Sequence, residues 1–129
     1  MPLVRVDLKR GKPLAYRHAI LDAVYAAMRE TFDVPAEDRF MLLAEYGDEG
    51  FVYSDRYLGI RRTDDLVIIQ ITANNTRTVE EKKALFKAIA DRLAASPGVH
   101  REDVFINLLE VAKENWSFGN GAAQYAGGR

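Results

Sequence analysis

Cysteine is absent from these 129 residues, which excludes disulfides, thiolate nucleophiles and thiolate metal sites together. Histidine is nearly absent. His18 and His100 stand far apart among polar neighbours and read as solvated side chains, so no histidine-rich metal site is expected. Charge of one sign is also lacking, because 18 Lys and Arg face 19 Asp and Glu, for a net charge of −1 and a pI near 6.1. That balance gives no electrostatic reason to expect nucleic acid or an anionic membrane as a partner. No apolar run approaches the length of a membrane span and no signal-peptide pattern opens the chain, so a cytoplasmic setting is the expectation. What remains, 48% hydrophobic and 29% charged, is the composition of one ordinary globular domain with room for a real core.

An internal repeat organises that domain. Val34-Pro-Ala-Glu-Asp-Arg-Phe-Met-Leu-Leu-Ala-Glu-Tyr46 lies over Val99-His-Arg-Glu-Asp-Val-Phe-Ile-Asn-Leu-Leu-Glu-Val111 at an offset of 65, with six of thirteen positions identical. The same offset sets Pro2 to Asp7 over Val67 to Thr72, Lys12 over Arg77, Ile20 over Leu85, Val24 over Ile89 and Met28 over Leu93. The chain therefore reads as a single domain, 1–129, made of two pseudo-repeats at about 2–64 and 67–129.

Each copy reads as β-α-β. Leu3 to Leu8 alternates like a half-buried strand, and Pro13 suits the start of a helix running to about Thr31. Tyr16, Ile20, Val24 and Met28 make its apolar stripe, and Phe40 to Tyr46 is the returning strand. In the second copy Leu66 to Ala73 is a strand, Thr78 to about Ala95 a helix stopped by Ser96-Pro97-Gly98, and Val104 to Val111 the last strand. The expected fold class is α/β (α+β), with tandem β-α-β units forming a four-stranded sheet and both helices on one face. Phe40 to Leu43 and Val67 to Ile69 are apolar at consecutive positions, as strands buried on both faces are. Two helices cover only one face, so the other is expected to find apolar contact in a homo-oligomer.

Three stretches carry candidate chemistry. Pro2 follows a methionine whose removal would leave it a free secondary amine, a group that titrates at roughly 7.7–8.0 in model peptides and can serve as acid or base. Read blandly, a proline at this position is chemically silent. Arg77 precedes a helix whose start is marked by the capping-box pair Thr78 and Glu81, and a cation there calls for an anion nearby. Either Glu80 or Glu81 supplies it, or a ligand carboxylate does. Trp116 and Phe118 alternate, Gly119 and Gly121 supply backbone freedom and Tyr125 follows, in a segment that is neither helix nor strand, and these aromatics either seal an oligomer seam or line a dry pocket, or both if the pocket lies at the seam.

Pro2-Leu-Val-Arg-Val-Asp-Leu8, Val34-Pro-Ala-Glu-Asp-Arg-Phe40, Arg77 before its helix and Trp116-Ser-Phe-Gly-Asn-Gly-Ala-Ala-Gln-Tyr125 together carry a family resemblance. The chain resembles the tautomerase superfamily, and within it the malonate semialdehyde decarboxylase group, over nearly its whole length. That resemblance implies a homotrimer without cofactor or metal. It implies catalysis by Pro2 with Asp38 and Arg77 on a small carboxylate-bearing oxo acid, against an aromatic wall of Trp116, Phe118 and Tyr125. Asn75 stands where some members carry a second arginine, and is taken with Arg77 as substrate-binding. The expected activity is decarboxylation of a 3-oxo acid with Pro2 as cationic acid, beside promiscuous hydratase or tautomerase activity. Two other readings stay open: a keto–enol tautomerase with Pro2 as general base, and a non-catalytic oligomeric protein if Met1 is retained. Asp38 also keeps a second reading, as a turn or cap residue, since Asp103 occupies the equivalent place in the other copy.

Overall fold

Alternating side chains make β1, Leu3–Lys9, a strand with one dry face: Val4, Val6 and Leu8 are buried, and Leu3, Arg5 and Asp7 point the other way. The computed structural model describes residues 2–127 and continues with α1 (Leu14–Phe32), β2 (Phe40–Tyr46), β3 (Val67–Asn74), α2 (Val79–Ala95) and β4 (Val104–Val111). Local chemistry sets the helix ends. Pro13, with φ of −65°, leads into α1, and Asp33 closes it in the left-handed region at φ 57°. At the start of α2, Glu81 N–H donates to Thr78 Oγ1 at 3.1 Å while Thr78 N–H donates to Glu81 Oε1 at 2.8 Å, the expected capping box. No described helix is long and apolar enough to cross a membrane.

The four strands run in the order β2-β1-β3-β4, with β1 parallel to β2, β3 parallel to β4, and β1 antiparallel to β3. Both helices pack on one face of this sheet. Ile20, Val24 and Met28 of α1 and Leu85, Ile89 and Leu93 of α2, the pairs matched by the sequence offset, are all essentially inaccessible against Val4, Val6, Val67, Ile69 and Ile71. Each such side chain contributes about 1.5–3 kcal/mol on leaving water. This single cluster is the core.

The opposite face differs from the sequence expectation in one respect. The connection between β2 and β3 arches beside part of it, so that Val52, Tyr53 and Tyr57 bound a pocket over half-buried Ile68 and the edge of Phe105. A polar row also crosses it, where Gln70 Nε2 donates to Asn107 Oδ1 at 3.1 Å and Tyr46 donates to Asp7 at 2.5 Å. Consecutive apolar letters had suggested a uniformly greasy face. What stays open are Phe40 and Leu42 at 52% exposure, Phe105 at 45% and Leu109 at 39%.

Asp103 shows what this position does in the second copy. It is fully buried, and both the N–H and the hydroxyl of Thr63 donate to its carboxylate, at 2.7 and 2.6 Å. It is a structural anchor that ties the β2–β3 connection to the start of β4. Removing it deletes two hydrogen bonds to a buried carboxylate, so Asp103→Ala is expected to lower unfolding stability by about 2–3 kcal/mol in urea titrations. A wild-type midpoint would show that Thr63 finds other partners.

Candidate active site

The register of β1 decides where Pro2 sits. Leu3 pairs with Phe40 on one edge and with Thr72 on the other, so Pro2 lies at the end of a strand flanked on both sides, next to the segment that leads into β2. It is buried. A cavity of about 230 Å³ opens beside it, lined by Pro2, Leu3, Phe40, Trp116, Ser117 and Phe118. That volume suits a molecule of a few heavy atoms.

The aromatic wall comes from the chain after β4. A short turn at Lys113–Asn115 redirects it across the end of the sheet, where the Trp116 and Phe118 rings stack with centroids 5.4 Å apart. Tyr125 meets Phe118 edge-on at 4.9 Å. The loop between them is closed by Gln124, which accepts from Phe118 N–H at 3.0 Å and donates to the Gly119 carbonyl at 3.0 Å. Gly119, with φ of 142°, supplies the backbone freedom this turn requires. Trp116 Nε1–H donates to Asn74 Oδ1 at 2.7 Å. Asn74 was not singled out in the sequence. Its only signal there was a polar residue closing an apolar strand.

Arg77 has found a partner that neither sequence alternative anticipated. Its Nη2 donates to the Phe32 carbonyl at 2.8 Å, and the guanidinium lies 4.5 Å from the Phe32 ring centre. Phe32 ends α1, so this cation at the positive end of α2 is balanced by the negative end of α1. Among the described residues neither Glu80 nor Glu81 forms a salt bridge with it. Glu81 is instead held below the usual carboxylate range, chiefly by the backbone N–H of Thr78.

Asp38 is half-buried at the entry to β2, and burial raises its carboxyl above the ordinary range against the opposing charge of Arg77. The neighbouring chain is braced, since Arg39 pairs with Asp22 at 2.6 Å and covers the Tyr25 ring at 4.4 Å. Pro2, Trp116 and Phe118 therefore share one cavity, with Tyr125 behind Phe118. Asp38 and Arg77 interact electrostatically but do not line it. Asn75 lies apart: it is exposed, and its backbone N–H pairs with the Val111 carbonyl at 3.0 Å. Among the described residues no group of three or more His, Cys, Asp or Glu is arranged to hold a metal ion.

Two family models, each described as a tautomerase enzyme, match residues 38–119 and 2–61. The chain belongs to the tautomerase family. Among tautomerase relatives, the probable tautomerase YusQ of Bacillus subtilis (strain 168) is 40% identical over 96% of this chain and 98% of its own length. The crystal structure of FG41 malonate semialdehyde decarboxylase inhibited by 3-bromopropiolate is 40% identical with a TM-score of 0.91, covering 98% of this chain and 95% of that one. A symmetric trimer of wild-type fused 4-OT aligns with a TM-score of 0.80 at 25% identity, covering 98% and 99% of the two chains.

The raised carboxyl has a consequence for stability within this tautomerase fold. A folded state that favours the protonated acid gains from Asp38 only at acidic pH, and loses that contribution as pH rises through the raised value. Asp38→Asn is therefore expected to leave the melting temperature at neutral pH unchanged or higher, in contrast to changes at Asp103. A marked drop would make Asp38 structural, like its counterpart.

Proposed function

We propose that this tautomerase-family protein is a cofactor-independent decarboxylase of a small 3-oxo acid, malonate semialdehyde or a close analogue, with Pro2 as cationic acid once Met1 is removed. The observation that carries the reading is the small cavity shared by Pro2, Trp116 and Phe118. The likeness to a malonate semialdehyde decarboxylase over nearly the full chain supports the choice of reaction.

The chemistry follows from charge. As the bond between the α-carbon and the carboxylate breaks, its electron pair moves toward the carbonyl and carbon dioxide leaves. The secondary ammonium of Pro2 donates a proton to the carbonyl oxygen that receives this charge, giving an enol that becomes the aldehyde by taking a proton from water on carbon while its O–H proton returns to Pro2. Arg77 stands outside the cavity lining, and with N–H groups beyond the one given to Phe32 it anchors a carboxylate that extends past that lining. Trp116 and Phe118 exclude water, which favours the less charged transition state. Asp38 keeps Pro2 protonated, or positions the water of a hydratase side reaction. In the trimer we propose, the open strip at Phe40, Leu42, Phe105 and Leu109 meets neighbouring copies, as suits a relative solved as a trimer. We read the chain as one cytoplasmic domain of two pseudo-repeats.

The description of YusQ as a probable tautomerase favours a second reading, in which neutral Pro2 removes a proton from carbon. The two readings require opposite charges on one nitrogen. Rates with malonate semialdehyde and with an enol-forming oxo acid, measured across the pH range of an amine, separate them. Decarboxylation is expected to fall as pH rises through the Pro2 pKa, and to fall by at least about a hundredfold in Pro2→Ala, the lower end for an acid–base group. Tautomerisation alone, rising through that same pKa, would contradict the decarboxylase reading.

A further inference from the structure

Two polar side chains are buried among the described residues, Asp103 and Asn74. Thr63 accounts for the first. Asn74 ends β3 on the same side of the sheet as Gln70 and Thr72, the side away from the helices, yet it is only 6% exposed because the chain after β4 folds over it. An indole N–H only donates, so the amide must present its oxygen to Trp116, and the short bond fixes the orientation of both groups.

Little else holds that ring edge. Trp116 lies outside any strand or helix, its backbone N–H reaches the Lys113 carbonyl only at 3.4 Å, and stacking on Phe118 constrains the ring's tilt more than its in-plane position. The bond to Asn74 crosses 42 residues of sequence to a rigid strand end. We propose that Asn74 is a positioning residue for the Pro2 cavity: its carboxamide pins the Trp116 indole flush against the cavity and so keeps the space around Pro2 small and dry. The proposal rests on the reading that the Pro2 cavity is where substrate reacts.

Without the acceptor, a buried N–H is left unpaired and the ring edge turns toward water. The chain holds a single tryptophan, so intrinsic fluorescence reports this ring alone. Asn74→Leu keeps the branched shape, at a somewhat larger volume, and removes the acceptor, whereas Asn74→Asp keeps an oxygen in the same place. The experiment records emission maximum and iodide quenching for both variants, with kcat and KM on whichever of the two oxo acids the wild type turns over.

For Asn74→Leu we expect red-shifted emission, increased quenching and kcat/KM lower by about tenfold or more at a near wild-type melting temperature, with emission restored in Asn74→Asp. If Asn74→Leu does not fold, Asn74→Ala removes the acceptor without adding bulk and carries the same readings. Unchanged emission and quenching would overturn the proposal, as would a shifted emission with wild-type kcat/KM. Wild-type turnover in Pro2→Ala would instead remove the site assignment while the emission result still stood, so the two failures are distinguishable.

Discussion

β1 is hydrogen-bonded along both edges, in parallel to β2 and antiparallel to β3, and that double pairing fixes the strand that directly follows Pro2. A terminus is ordinarily the loosest part of a domain. Here Val4, Val6 and Leu8 lock it from one side, and a slip of one residue would turn all three out of the core while bringing Arg5 and Asp7 in. The position of Pro2, the composition of its cavity and the reach of the β4 extension over it all follow from that register. A secondary amine held on such an element needs little reorganisation to meet a substrate.

The ends of the two helices supply the site's fixed charge. The positive start of α2 and the negative end of α1 lie close enough for Arg77 to bridge them through the Phe32 carbonyl. Asp38 adds a carboxylate whose burial works against its own ionisation. Positive and negative contributions are thus opposed around one end of the sheet, which suits an amine whose charge state has to serve the reaction. The same position in the second copy has gone the other way, since Asp103 is wholly enclosed and satisfied by Thr63. One repeated position carries a structural bond in one half and a partly desolvated carboxyl in the other.

Much of this was legible in the sequence. The stripe Ile20, Val24, Met28 and its counterpart Leu85, Ile89, Leu93 announced the core through helical spacing alone, and Thr78 with Glu81 announced the start of α2 through capping chemistry. Trp116 and Phe118 stood out as alternating aromatics just before Gly119, with an oligomer seam and a dry pocket both open as their use. The partners of Arg77 and Trp116 were not legible, because a backbone carbonyl at Phe32 and an amide at Asn74 become neighbours only after long-range docking. The pocket over Ile68 was missed for the same reason, since nothing in the letters of Val52, Tyr53 and Tyr57 says which face their loop approaches. Asn75 has a place in the family pattern and an exposed side chain, and its backbone N–H extends the pairing of β3 with β4 by one residue.

Acid–base chemistry at Pro2 requires that it be a free amine in the working protein. An acylated Pro2 nitrogen carries no ionisable proton and serves neither as acid nor as base. Intact mass spectrometry of a preparation that is turning over substrate tests this most directly. The predicted result is a single species lighter than the translated chain by one methionine residue, beginning at Pro2. Full activity from a preparation in which every chain retains Met1 would contradict it.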